Sequence, residues 1–456
     1  MSRRHLALAV SIAAAGLGTP PLAAQAPAPP ATHLTVAYQE FTLANGLHVI
    51  LHRDTSVPVV AVNVWYHVGS GHEKVGRTGF AHLFEHLMFE GSKHVPEGAF
   101  DTWLEGAGAN NNGSTNTDRT NYYIDGPSNA LELMLFLESD RMAYLLDTMS
   151  PARVDGQRDV VKNERRQSYE NRPYGMAELE LDTMLWPKGH PYSWSTIGSM
   201  EDLSAASHED VQEFFRTYYA PNNASLVIAG DIDLAATKAL VEKWFGDVPA
   251  GKPVPQVAPP AAMLTGVTRK TVTDRVQLPR LYLAWLTPGL HRPGDAALDV
   301  VSSLLTSGKN SRLYKRLVYE LQIAQDVQAF QASQALGSAF YIQATARPGK
   351  TAEELQTVID EEIDRLAATP PEPRELERAL NQIEASFLRQ AERVGGFGGK
   401  ANQLNAYYTN TGMPDFFNED LARYRSLDAT DISSAVGRYL PKDRRVEMIV
   451  LPGGAK

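Results

Sequence analysis

His82, Glu85 and His86 stand in the order His-x-x-Glu-His, with Leu83 and Phe84 between the first two. On an α-helix, positions i, i+3 and i+4 share one face, so both imidazoles and the carboxylate project to one point while Leu83 and Phe84 turn away. Two neutral imidazoles one turn apart can chelate zinc at ~2.0–2.1 Å, and the carboxylate between them can take a proton from an attacking water. A catalytic zinc wants three protein ligands, so a further carboxylate is required from another helix. The chain has no cysteine. That excludes thiolate metal sites, cysteine nucleophiles and disulfides together. Five residues are a short signal, and a half-buried helix with no chemistry satisfies the same pattern.

The elements that must position these groups follow from periodicity. Residues 79–90 read as a helix, because Phe80, Leu83, Leu87 and Met88 recur at helical spacing. Before them come a predicted hairpin over 41–51 around Asn45-Gly46 and a Val-rich strand over 59–68. A helix is predicted over 130–146, a strand over 224–230 and an amphipathic helix over 235–245. Residues 248–260 then carry Pro249, Pro253, Pro255, Pro259 and Pro260, a backbone too broken to make many contacts. The order then starts again: a strand over 281–286, helices over 296–305, 312–321, 352–367 and 373–393, and a last strand over 446–451. This is an α+β protein of two similar domains, each a mixed or antiparallel sheet packed with helices. The predicted bounds are 35–247 for the domain bearing the His-x-x-Glu-His helix, 248–262 for a Pro-rich linker and 263–456 for the second domain.

With these residues in hand, the chain resembles the pitrilysin and insulysin type of inverzincin, and among them the shorter two-domain members related to mitochondrial processing peptidase. The resemblance spans nearly the whole chain after residue 34 and is strongest over 45–170. It implies a zinc-dependent endopeptidase acting on peptides or unfolded segments, with His82 and His86 as ligands and Glu85 as catalytic base. The family's third ligand is a glutamate on a later helix. Glu164, in Gln157-Arg-Asp-Val-Val-Lys-Asn-Glu164, falls in that place. Seven positions earlier the family usually carries a second glutamate; here Gln157 stands instead, which weakens electrostatic support beside the ligands. The segment from Asn112 to Tyr122 is similar to the family's Asn-Ala-x-Thr-x-x-Asp-x-Thr-x-Tyr, with Gly113 as the one departure. Residues 106–112 look like the edge strand that pairs with substrate in the family, which makes Ala109, Asn110, Asn111, Asn112 and Tyr122 the candidate substrate-binding residues. An edge strand has unpaired N–H and C=O groups to which a peptide can add. A polar Asn/Gly loop is the plainer alternative.

A second departure bears on partners. Active relatives present an arginine in the second domain and, seven positions on, a tyrosine, which bind the substrate backbone or the developing oxyanion. Here those places fall on Val318 and Gln325; Arg316 and Tyr319 are near but differently spaced. The resemblance thus implies a zinc-bearing subunit, half of a clamshell, whose homologous sister subunit supplies the arginine and tyrosine. Residues 395–399, Gly-Gly-Phe-Gly-Gly, are similar to a glycine-rich segment of the processing peptidase's non-catalytic partner, or form a plain linker. Alternatives are a self-sufficient homodimeric peptidase and a non-catalytic assembly subunit. Residues 190–192 and 196–198 resemble a family surface segment and receive no chemistry, and His67, His72 and His94 lack ligand spacing.

The totals bound the remaining classes. A length of 456 residues points to two domains, and 43% hydrophobic with 21% charged residues marks a folding chain. A net charge of −10 excludes a generally basic surface and makes nucleic acid an unsuited partner. Residues 1–26 read as a signal peptide: Arg3 and Arg4 precede an apolar run over 6–17 too short to span a bilayer, with small residues near Ala24 and Ala26. Residues 27–34 form a Pro/Ala spacer. The expectation is a periplasmic protein without a stable membrane span; a twin-arginine signal and an uncleaved anchor are the variants of this reading.

Overall fold

A computed structural model describes residues 33–453, so the predicted signal peptide over 1–26 and most of the spacer over 27–34 lie outside the described residues. Among the described residues eleven strands form two sheets. The first runs in the order β1 (Gln39–Thr42), β2 (His48–Arg53), β6 (Ala224–Gly230), β3 (Val59–Tyr66), β5 (Thr120–Pro127), β4 (Asn110–Thr115). The second runs β7 (Thr268–Asp274), β11 (Val446–Pro452), β8 (Arg280–Thr287), β10 (Ser338–Ala346), β9 (Ala324–Ala332). Fourteen α-helices accompany the strands among the described residues. In the first half of the chain these are α1 (Phe80–Leu87), α2 (Ala99–Gly106), α3 (Leu131–Thr148), α4 (Pro151–Arg165), α5 (Gly175–Leu185), α6 (Met200–Ala205), α7 (His208–Tyr218) and α8 (Leu234–Phe245). The second half adds α9 (Asp295–Thr306), α10 (Ala352–Ala368), α11 (Pro373–Glu392), α12 (Lys400–Thr411), α13 (Phe417–Arg425) and α14 (Ala429–Tyr439).

The two sheets share one plan. In the first, β2 and β6 are parallel and the pairs β6–β3, β3–β5 and β5–β4 antiparallel. In the second, β7 and β11 are parallel and β11–β8, β8–β10 and β10–β9 antiparallel. β1 is the added strand, closing on β2 through the Asn45-Gly46 turn with Thr42 opposite His48. Two predicted elements differ. Residues 312–321 form a wider helical turn over Tyr314–Glu320. The edge strand is Asn110–Thr115 rather than 106–112, because α2 continues to Gly106 and a turn at Gly108, φ +74°, separates helix from strand.

Sheet faces explain the sequence pattern. Along β3, Val60, Val62, Val64 and Tyr66 enter a core with Leu83, Phe84 and Leu87 of α1, and with residues of α3, α7 and α8. The alternate residues of β3 are buried too. Asn63 and Trp65 meet α12, where Asn405 Nδ2 donates to Asn63 Oδ1 (3.0 Å) and Trp65 Nε1 to Asn402 Oδ1 (3.0 Å). The second sheet mirrors this. Leu281, Leu283 and Trp285 of β8 face α9, α10 and α14, whereas Tyr282 and Ala284 pack with Ala177, Leu181 and Leu185 of α5. Each sheet is thus covered on one side by helices of its own half and on the other by a helix from the opposite half. Burial of both faces makes the strands near-continuous apolar runs instead of alternating ones.

One consequence is a pH dependence of stability. Asp182 of α5 is enclosed against the second sheet, where burial pushes its pKa up to about 7 and the Tyr341 hydroxyl, donating to Oδ1 at 3.4 Å, pulls the other way. A carboxyl raised on folding favours the protonated state, so its contribution is complete below the unfolded carboxyl range and is lost as pH rises through about 7. Asp182→Asn should therefore flatten the fall in Tm between about pH 4 and pH 7, read by calorimetry. An unchanged pH slope in that variant would show that the carboxyl is not the cause.

Candidate metal centre and substrate edge

Helix α1 is capped at Gly79 and presents Phe80, Leu83, Phe84 and Leu87 to the core, leaving His82, Glu85 and His86 on the other face. Across from it, α4 is started by Ser150, whose side chain accepts from Arg153 N, and carries Glu164 in its last turn. His82 Nε2 and His86 Nε2 lie 3.3 Å apart. Glu164 Oε2 lies 3.6 Å from the first and 3.4 Å from the second. Among the described residues this is the one group of three or more His, Asp or Glu residues close enough to share a metal ion.

Those spacings test whether zinc fits. Four ligands in a tetrahedron at ~2.0–2.1 Å from the ion are separated from one another by about 3.3–3.4 Å. The three donor atoms match that triangle, and two imidazoles with one carboxylate are a donor set zinc takes. Burial holds His82 at a pKa of about 4, hence neutral and with a lone pair to give. Glu164 is lowered by its bond to His86, which keeps it ionised. Burial also lowers His86, but the bond and charge of Glu164 and the charge of Glu85 outweigh it.

Glu85 stays outside the triangle. Thr115 Oγ1 of β4 donates to Glu85 Oε2 at 2.6 Å, fixing one oxygen and leaving the other free. Burial raises its pKa, the direction a general base working near neutrality requires. Gly113 lies against the same side chain: a Cβ there would be 3.0 Å from Glu85 Cγ. Gln157 bonds to His86 and donates from Nε2 to Glu90 Oε1 at 2.5 Å, so a carboxylate stands one residue further from the ligand.

β4 ends the first sheet, with β5 on one side only. Asn116 N donates to Arg119 O at 3.0 Å; in an antiparallel ladder this fixes the alternation, so the N–H and C=O groups of Asn111, Gly113 and Thr115 point away from β5. Asn110 and Asn112 are exposed, and Asn111 is half-buried with its amide on Asp101 Oδ1 at 2.9 Å. Ala109 lies just before the strand and is nearly buried. Tyr122 differs from its sequence reading as a substrate contact. It is fully buried beneath α1, its ring against Gly113 and the guanidinium of Arg141, so it supports the edge rather than touching a ligand. The hairpin tip is tied to the second half: Ala335 N donates to Asp118 Oδ2 and Leu336 N to the Tyr192 hydroxyl, each at 3.0 Å, and Tyr192 bonds Asp118.

In the second half, Val318 is half-buried against the core and Gln325 is exposed at the start of β9. Arg316 is held by Glu361 and by Glu362 Oε1 (2.9 Å), and Tyr319 is 75% exposed. The glycine-rich loop folds onto β5, with Gly395 against Asp125 and Phe397 edge-on to Tyr123. Thr115 lies in the segment from Asn112 to Tyr122 but had no role assigned to it, and Glu90 stands in the chain only as a single polar residue.

The fold agrees with comparison to known proteins. Residues 48–188 match the family model described as insulinase (peptidase family M16), and residues 205–383 match that described as peptidase M16 inactive domain. The zinc protease PqqE of Helicobacter pylori is 28% identical over 424 residues, 91% of this chain and 93% of that one. A probable mitochondrial-processing peptidase subunit beta of Arabidopsis thaliana is 24% identical over 426 residues, 88% of this chain and 75% of that one. The crystal structure of a protease from Helicobacter pylori superposes with a TM-score of 0.86 at 26% identity, covering 92% of this chain and all of that one. The chain belongs to the insulinase family, peptidase family M16.

Proposed function

We propose that this chain is the zinc-bearing subunit of an exported endopeptidase that cleaves peptides or unfolded segments. The observation that carries the reading is the triangle of His82 Nε2, His86 Nε2 and Glu164 Oε2 at tetrahedral spacing, with the free oxygen of Glu85 beside it. Zinc held there would polarise a carbonyl and acidify water. Glu85 takes the proton of the attacking water on the oxygen that Thr115 leaves free, and hands it on to the leaving amine. An extended substrate adds to β4 through the outward groups of Asn111, Gly113 and Thr115, displacing Asn112 Oδ1 from Gly113 N (2.8 Å), a mode that asks for backbone and little side-chain identity. Asn110 and Asn112, exposed on that strand, border the bound segment.

Support for a two-chain enzyme comes from the second half, where Val318 and Gln325 offer no charged donor to an oxyanion, and from the Arabidopsis relative's being named a subunit. Export to the periplasm rests on the N-terminal residues alone. The test is to purify the chain, measure bound zinc, and follow cleavage of a flexible fluorogenic peptide with and without a homologous chain carrying the arginine and tyrosine. One zinc per chain, a 1:1 complex and a rise in kcat/KM of ~10²–10³-fold are expected, the usual loss for one missing oxyanion donor. A pure homodimer as fast as the mixture would remove the sister subunit from the reading. Absence of zinc from the wild-type chain would remove the peptidase.

A further inference from the structure

Helix α1 carries three functional side chains in eight residues, yet nothing local secures its start. Its N-cap is Gly79, at φ +88°, which has no side chain to accept the first N–H groups. No other side chain is a ready replacement there, since a Cβ on Gly79 would meet Ile197 O and Leu203 Cδ2 at 2.9 Å in a backbone conformation that favours glycine. The orphan donors are taken from a distance. Glu73 Oε2 accepts from Gly79 N at 3.0 Å and Glu73 Oε1 from Ala81 N at 2.8 Å, so one buried carboxylate spans the helix entry with both oxygens. Beside it, Asp202 Oδ2 accepts from Thr78 N (3.0 Å) and Thr78 Oγ1 (2.5 Å).

Glu73 has no part in the chemistry above, and its burial is costly. It is 8% exposed, forms no ion pair among the described residues, and is opposed by the charge of Asp202. Burial pushes its pKa up to about 8, against the pull of the Ala81, Gly79 and Phe80 N–H groups. A carboxylate at a helix N-terminus also meets the positive end of the helix dipole. A buried acid kept for its backbone bonds alone fixes whatever those bonds hold. Here that is the residue immediately before His82.

We propose that Glu73 is the positioning residue of the metal centre, replacing the cap that Gly79 lacks and setting where α1 places His82, Glu85 and His86 against Glu164 and β4. This rests on the zinc reading given above. Glu73 touches no ligand; it acts through the Gly79 and Ala81 amides.

The test compares Glu73→Gln and Glu73→Asp with wild type. Glutamine keeps the shape but presents one N–H₂ to a backbone N–H; aspartate is too short to span both amides. Zinc affinity is read by competition with a chromophoric chelator, ligand geometry by the visible spectrum of the cobalt-substituted protein, and α1 by hydrogen exchange of residues 79–88. Glu73→Gln should bind zinc ~10–100-fold more weakly, the range for partners that orient metal ligands. It should also shift the cobalt spectrum, speed α1 exchange and lower kcat while leaving KM, set along β4, unchanged. Glu73→Asp should fall between. A purely structural Glu73 would lower Tm while a variant held below its Tm kept wild-type affinity, spectrum and kcat; that result in either folded variant overturns the proposal. If Glu73→Gln does not fold, Glu73→Asp decides by the same readouts. Should wild type bind no zinc, the functional reading fails by itself, and unchanged α1 exchange in the variants would separately overturn the cap.

Discussion

Glu85→Gln is expected to keep its zinc and lose ~10²–10⁴-fold in kcat, the usual worth of a positioned general base. The amide fills the same volume on α1 and can still accept from Thr115, so the strand and helix stay in register. The nitrogen in place of the free oxygen cannot take a proton. Since the metal triangle is made by His82, His86 and Glu164, the ligand set is untouched. Elemental analysis and steady-state kinetics on one preparation check both halves. Loss of metal in this variant would make Glu85 a ligand, and retained turnover would move the base elsewhere.

His82→Ala, His86→Ala and their double variant should abolish activity through the metal itself. Each removes one of three donors; the pair leaves Glu164 alone, which is 42% exposed at its side chain and no zinc site unaided. The wild-type chain should gain about 2.7 kcal/mol of stability at a zinc concentration a hundred times its Kd, and the double variant none. Calorimetry with and without added zinc reads that difference without any substrate. Full zinc occupancy in the double variant would overturn the assignment.

How much of this was legible in the chain depends on range. Helix α1 and its chemical face were, because Phe80, Leu83 and Leu87 fix both the period and the buried side. The hairpin at Asn45-Gly46 and the strands β6, β8 and β11 were, because their apolar runs are bounded by turn residues. β4 was displaced by several residues, since Asn110–Thr115 contains only asparagine, glycine, serine and threonine and owes its strand to pairing with β5. Tyr122 was assigned to substrate by its place in a motif, whereas the alternation of β5 turns it inward beneath α1. Glu73 and Thr115 act on groups 6 to 30 positions away, and no local period reports such bonds. The partners of α5 and α12 are equally non-local.

That exchange of helices sets a timetable for the newborn chain. The last strand of the first sheet ends at Gly230, but the helix that covers its far face begins at Lys400. At ~5–20 residues per second, a ribosome needs roughly ten to thirty seconds to supply it. Throughout that interval Trp65, Asn63 and Ser225 face water or other chains, and the native partners of Asn402 and Asn405 wait unsatisfied. The polar residues among them hydrate readily, so the open face is less adhesive than an aliphatic one would be. The first half of this protein is therefore completed only once α12, from the second half, has been made.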